Sequence, residues 1–111
     1  MASPRVVRAR QTERLLAADL QACGAPDARA VAASVAGRDI LGVPGLAIEV
    51  KARTNLDMRA ALRQAARNSD GDLPLVVVRC NGQGQLHIDD WVTLIYWGDM
   101  KQLLKEAGYL A

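Results

Sequence analysis

Gly42-Val43-Pro44-Gly45-Leu46-Ala47-Ile48-Glu49-Val50-Lys51 is the stretch on which the reading of this 111-residue chain turns. The first four residues make a tight turn, and strict alternation follows. Leu46, Ile48 and Val50 point to one face of a strand, and Ala47, Glu49 and Lys51 to the other. A core strand would ordinarily carry apolar groups on that second face, so the pairing of Glu49 with Lys51 demands a reason. Asp39 stands ten residues before Glu49, on a short extended piece from Asp39 to Leu41 that the turn joins to the strand. Neighbouring strands lie about 4.8 Å apart, so carboxylates on the two can share one divalent metal. Hydrolysing a phosphodiester calls for a hard cation on oxygen ligands, which neutralises the phosphate and activates water, with a cationic side chain nearby. Asp39 and Glu49 would hold Mg²⁺ and Lys51 would supply the positive charge. The competing reading is an ion pair between Glu49 and Lys51 on a solvated sheet face.

Upstream, Arg8 to Ala22 reads as a helix whose apolar face carries Ala9, Leu16, Ala17 and Leu20, stopped by Gly24 and Pro26. Glu13 falls on the same stripe, and an inward carboxylate is costly unless paired or metal-linked. A helix rolled slightly to expose Glu13 is the simpler alternative. Residues 28–36, ARAVAASVA, fit a short strand or an irregular lead-in.

Downstream, a second helix from Leu56 to Asn68 carries Met58, Ala61, Leu62, Ala65 and Ala66 on its apolar stripe, with Gln64 at the border of that stripe. Arg59, Arg63 and Arg67 recur at i+4 and form a basic ridge. After the turn Ser69-Asp70-Gly71-Asp72, the continuous apolar run LPLVVVRC reads as a central strand buried on both faces. Asn81 to Gly84 is a turn, Trp91 to Trp97 another strand, and Asp99 to Ala107 a closing helix stopped by Gly108. This order predicts an α/β (α+β) fold around one mixed sheet flanked by helices.

The length suits a single domain over residues 1–111, and half of the residues are apolar, enough for a core. No run approaches the roughly 20 apolar residues of a membrane span, and the basic start, MASPRVVRARQTER, is not followed by the apolar run of a secretory signal. A cytoplasmic location is therefore expected. Cys23 and Cys80 are far apart and lack metal-ligand neighbours, which argues against a disulfide scaffold or a zinc finger. The lone His87 reads as solvated, and Trp91, Tyr96 and Trp97 as core or interface residues. The net charge of +2 conceals a gradient: residues 1–67 hold 11 Lys and Arg against 6 Asp and Glu, whereas residues 68–111 hold 3 against 6. Apart from Lys51, the positive half is arginine throughout, a side chain whose planar fork suits phosphate. A polyanion-binding face and a basic solvated surface both fit that charge.

Gly37-Arg38-Asp39-Ile40 followed by Gly45-Leu46-Ala47-Ile48-Glu49-Val50-Lys51 resembles the signature of the PD-(D/E)XK nuclease superfamily, in which an aspartate precedes an E-x-K strand. Within that superfamily the chain resembles small phage and archaeal Holliday junction resolvases, from about Arg8 to Leu110. The resemblance implies a restriction-endonuclease-like core. It implies Asp39, Glu49 and the backbone carbonyl of Val50 as ligands of Mg²⁺, with Mn²⁺ as a substitute, and Lys51 as the catalytic lysine. Glu13 matches a first-helix glutamate that some members add to the metal site, and Gln64 a second-helix glutamine. A homodimer cutting four-way DNA junctions is implied as well, in the host cytoplasm if the chain is phage-encoded. Arg5, Arg8, Arg10, Arg14, Arg38, Arg53, Arg59, Arg63 and Arg67 would then contact DNA phosphates. Arg38 replaces the proline of the signature, and the serine loop of archaeal resolvases would shrink to the neighbourhood of Ser34. Two alternatives remain open: a nuclease of the same superfamily acting on flapped, nicked or linear DNA, and a non-catalytic DNA-binding module of the same fold.

Overall fold

In the computed structural model, which describes residues 2–31 and 37–111, the elements follow in the order α1 (Pro4–Ala22), β1 (Arg29–Ala30), β2 (Ile40–Leu41), β3 (Leu46–Lys51), α2 (Met58–Arg67), β4 (Leu73–Val78), β5 (Val92–Leu94) and α3 (Trp97–Glu106). The five strands form one mixed sheet in sequence order. β2 runs antiparallel to both β1 and β3, β4 lies parallel to β3 through the α2 crossover, and β5 returns antiparallel to β4. The fold is thus α+β with a central sheet flanked by helices.

β3 has the expected bounds, and its alternation divides the molecule. Leu46, Ile48 and Val50 join Leu16 and Ala17 of α1, together with Ile40, Val77 and Trp91, in one apolar cluster. On the opposite face, Val76 and Val78 of β4 meet Ala61, Leu62 and Ala65 of α2. β4 sends side chains into both clusters, as its unbroken apolar run predicts. Burying these side chains on both faces of the sheet is the main stabilising force, at about 25 cal/mol per Å² of apolar surface removed from water.

Local chemistry sets the helix ends. α1 starts at Pro4 rather than Arg8, because Ser3 caps it through the Val6 N–H and proline fits the first turn. Asp57 caps α2 by accepting from the Ala60 N–H. Gly42, at φ +83°, is required twice over, since a Cβ there would lie 1.9 Å from the Asp27 carbonyl oxygen.

Three sequence expectations shift. The strand expected over Trp91 to Trp97 shortens to Val92–Leu94, because Trp91 turns into the α1-side cluster and α3 begins at Trp97. Gln85–Asp90 forms a 3₁₀ segment where the sequence suggested none. Of the stretch 28–36, only Arg29–Ala30 is a strand among the described residues. Ser34, the position of the expected serine loop, lies outside them. No described helix is long and apolar enough to cross a membrane, and α3 buries none of its residues.

Candidate functional site

The antiparallel approach of β2 to β3 brings Asp39 beside Glu49. The Asp39 N–H donates to the Ile48 carbonyl at 3.1 Å, and Asp39 Oδ2 accepts from the Val50 N–H at 2.8 Å. Asp39 thereby caps the point where the β2–β3 ladder ends. Main-chain groups alternate in direction along a strand. The carbonyls of Gly45 and Lys51 accept from Leu73 and Arg79 on the β4 side, so the even-numbered groups, including the Val50 carbonyl, point towards Asp39.

Glu49 is buried, with 2% of its surface exposed. Burial and the adjacent Asp39 carboxylate, which lies within hydrogen-bonding reach, push its carboxyl up to about 7. Asn68 Nδ2 donates to Glu49 Oε1 at 3.2 Å and to the Gly37 carbonyl at 3.4 Å. Lys51 Nζ donates to Gln64 Oε1 at 3.2 Å. Glu49 and Lys51 therefore both face α2, each held by a neutral amide of that helix or its cap, and no ion pair joins them. The reading of a simple surface salt bridge between these two is excluded by the burial of Glu49 and by these partners.

Glu13 is half-buried on α1. Burial and the charge of Asp39 raise its carboxyl, against a smaller opposing pull from Arg10 and Arg14. No three His, Cys, Asp or Glu side chains among the described residues gather closely enough to chelate an ion by themselves. Glu13 is thus an electrostatic neighbour of the Asp39–Glu49 pair.

The expected phosphate-contacting arginines fall into separate groups. Arg59, Arg63 and Arg67 are exposed on α2, and Arg14 is exposed beside the half-buried Arg10 on α1. Arg5, Arg8 and Arg53 line a cleft with Lys51. Arg38 is engaged otherwise. It pairs with Asp72 at 2.7 Å and donates to the carbonyls of Asn68 (3.0 Å), Leu46 (3.1 Å) and Ser69, so its guanidinium is committed to joining the starts of β3 and β4. That network is the physical reason an arginine can stand before Asp39.

Two residues at the site escaped the sequence reading. In the sequence Asn68 marks only a helix end, although its i+4 spacing from Gln64 places both amides over the charged face of β3. Arg79 was hidden at the end of an apolar run, where no local pattern separates a buried cation from an exposed one. It is 5% exposed and donates to the Gln83 carbonyl (2.8 Å), Gln11 Oε1 (2.9 Å) and Thr12 Oγ1 (3.2 Å), with its guanidinium 5.5 Å from the Trp91 ring centroid. Burial and the nearby Arg8 lower its pKa. No protein-family model matches this chain, and no curated protein and no solved structure is significantly similar to it.

Proposed function

We propose that this protein is a Mg²⁺-dependent, structure-selective DNA endonuclease of the Holliday junction resolvase type, working as a homodimer. One observation carries the reading: two carboxyl groups, Asp39 and the buried Glu49, are pressed together beside Lys51. Packing alone gives no reason to hold like charges in this way, since an apolar pair of similar size would be cheaper. A carboxyl pushed up to about 7 by burial and by a second carboxylate is a place where a cation can substitute for the proton.

The donor set fits Mg²⁺. That ion is usually held by one or two carboxylates, with waters and substrate phosphate completing the shell, so a third clustered carboxylate is not required. Asp39 and Glu49 would hold it, with the Val50 carbonyl directed to the same side. Once bound, the metal supplies charge neutralisation at the phosphate and a more acidic water. Lys51, oriented by Gln64, presents its ammonium to the charge that builds on the phosphoryl oxygens. Asn68 fixes the rotamer of Glu49, and Asp39 is fixed by the Val50 N–H.

α3 supports the pairing of two copies. It follows the edge strand β5 in the chain and leaves Trp97, Met100 and Leu103 in solvent. Its Asp99 and Glu106 balance Lys101 and Lys105, so a second copy meets no net repulsion there, unlike at the arginine-rich surface.

Incubating the purified protein with a synthetic four-way junction and a matched linear duplex, with Mg²⁺ or with chelator, tests the proposal. Metal-dependent cleavage of the junction in preference to the duplex is expected. Equal cleavage of both would move the substrate to DNA in general. Absence of cleavage, together with no Mg²⁺ or Mn²⁺ binding by calorimetry, would leave a non-catalytic DNA-binding module.

A further inference from the structure

At the carboxyl end of β3 the chain forms a cleft of about 750 Å³, lined by Arg5 and Arg8 of α1, by Lys51, and by Arg53, Asn55 and Asn81. None of its described lining residues is acidic. In open sheets with parallel strands, ligands collect at this end. Arg8 is fixed there, half-buried, by donating to the carbonyls of Ala52 (3.2 Å) and Cys80 (2.9 Å). Arg79 is next to it, buried and held only by neutral acceptors. The ion pairs among the described residues are Arg38 with Asp72 and His87 with Asp90, so neither Arg8 nor Arg79 has a carboxylate partner. Two neighbouring guanidiniums, one of them buried, with no counter-charge make a costly arrangement that an anion in the cleft would relieve.

We propose that this cleft binds the phosphodiester backbone of a DNA strand leaving the Asp39–Glu49–Lys51 site. One phosphate answers Arg8, with the positive charge of Arg79 behind it, and Arg5 and Arg53 grip the next from the exposed side. The cleft shares Val50 and Lys51 with the candidate site, so a strand cut there runs into it without a gap. Four cations over this volume exceed what a single small phosphate needs and suit an anion that repeats along a chain. Arg79 does not line the cleft; it is a positioning residue that adds positive charge behind Arg8. The inference rests on the nuclease reading only for the identity of the strand.

The test is fluorescence anisotropy of a labelled four-way junction in chelator, so that binding is read without cleavage, over a range of salt concentrations. Arg5→Gln with Arg53→Gln is compared with Arg29→Gln, which removes an exposed charge from β1, outside the cleft and outside α3. All three side chains are exposed, and thermal melting verifies folding. The cleft variant is expected to bind about tenfold or more weakly at 0.1 M salt and to flatten the slope of log affinity against log salt by roughly 1.5 to 2. The Arg29→Gln variant should change far less. Equal losses in the two variants, or an unchanged cleft variant, would overturn the proposal. A weakened cleft variant alongside a wild-type protein that cuts nothing in Mg²⁺ retains the cleft and removes the nuclease. An unchanged cleft variant alongside an active wild type removes the cleft alone.

Discussion

The two ends of β3 treat charge in opposite ways. At its start, Arg38 meets Asp72 and three carbonyl oxygens, so every charge there is answered within the chain. At its far end, burial and the neighbouring Asp39 push the Glu49 carboxyl up, Lys51 rests on a neutral glutamine, and Arg8 and Arg79 have no carboxylate. The first end is built to be stable as it stands. The second leaves both a negative and a positive imbalance a few residues apart, which is what a cation and a phosphate would together resolve. Balanced charge marks structure here, and the unbalanced charge supports the proposed ligand site.

The strongest way to break this contrast is to remove the unbalanced charges. Lys51→Ala should lower Mg²⁺-dependent junction cleavage on the order of a thousandfold, and Asp39→Asn should abolish metal binding by calorimetry. Full activity of either purified variant sinks the nuclease reading. At the balanced end the effect should fall on stability instead. Arg38→Ala strands Asp72 and three carbonyls, and is expected to cost about 3 kcal/mol in urea denaturation. A loss within a few tenths of a kcal/mol would mean that the network contributes little.

A smaller effect concerns pH. In the folded chain Glu49 holds its proton up to about 7, against an ordinary value of 4.5. Its contribution to stability is therefore complete below 4.5, declines as the pH rises, and is gone above 7. Without metal, the protein should melt at a lower temperature at pH 8 than at pH 5.5, and Glu49→Gln should flatten that difference. Added Mg²⁺ should raise the melting temperature more at pH 8 than at pH 5.5, because at the lower pH it must displace the proton. The opposite order would show that no cation replaces the proton. The smallest change is expected from Gln64→Ala, about tenfold in cleavage, since it loosens Lys51 without removing it.

Much of this contrast could be read in the chain. The alternation in Leu46–Lys51 located β3 to the residue, and the spacing of Ala61, Leu62 and Ala65 found the buried face of α2, whereas Met58, expected on that stripe, is exposed in the first turn. Glu13 was found by its place on a helical stripe and Gln64 by its place at the border of one. Arg38 was read as one more arginine of the basic half. Its acceptors come from positions 46, 68, 69 and 72, which no short window joins. Arg79 and Asn68 were passed over for the same reason, since burial and long-range partners leave no periodic trace.

The sequence by itself determined the element order, the two faces of β3 and the placement of Asp39, Glu49 and Lys51, because backbone periodicity and turn chemistry act over a few residues. Only the tertiary structure decided which charges are answered. Desolvation of Glu49, the commitment of Arg38 to the fold and the uncompensated pair Arg8 and Arg79 depend on segments far apart in the chain being packed together, where water is excluded and a missing partner becomes costly.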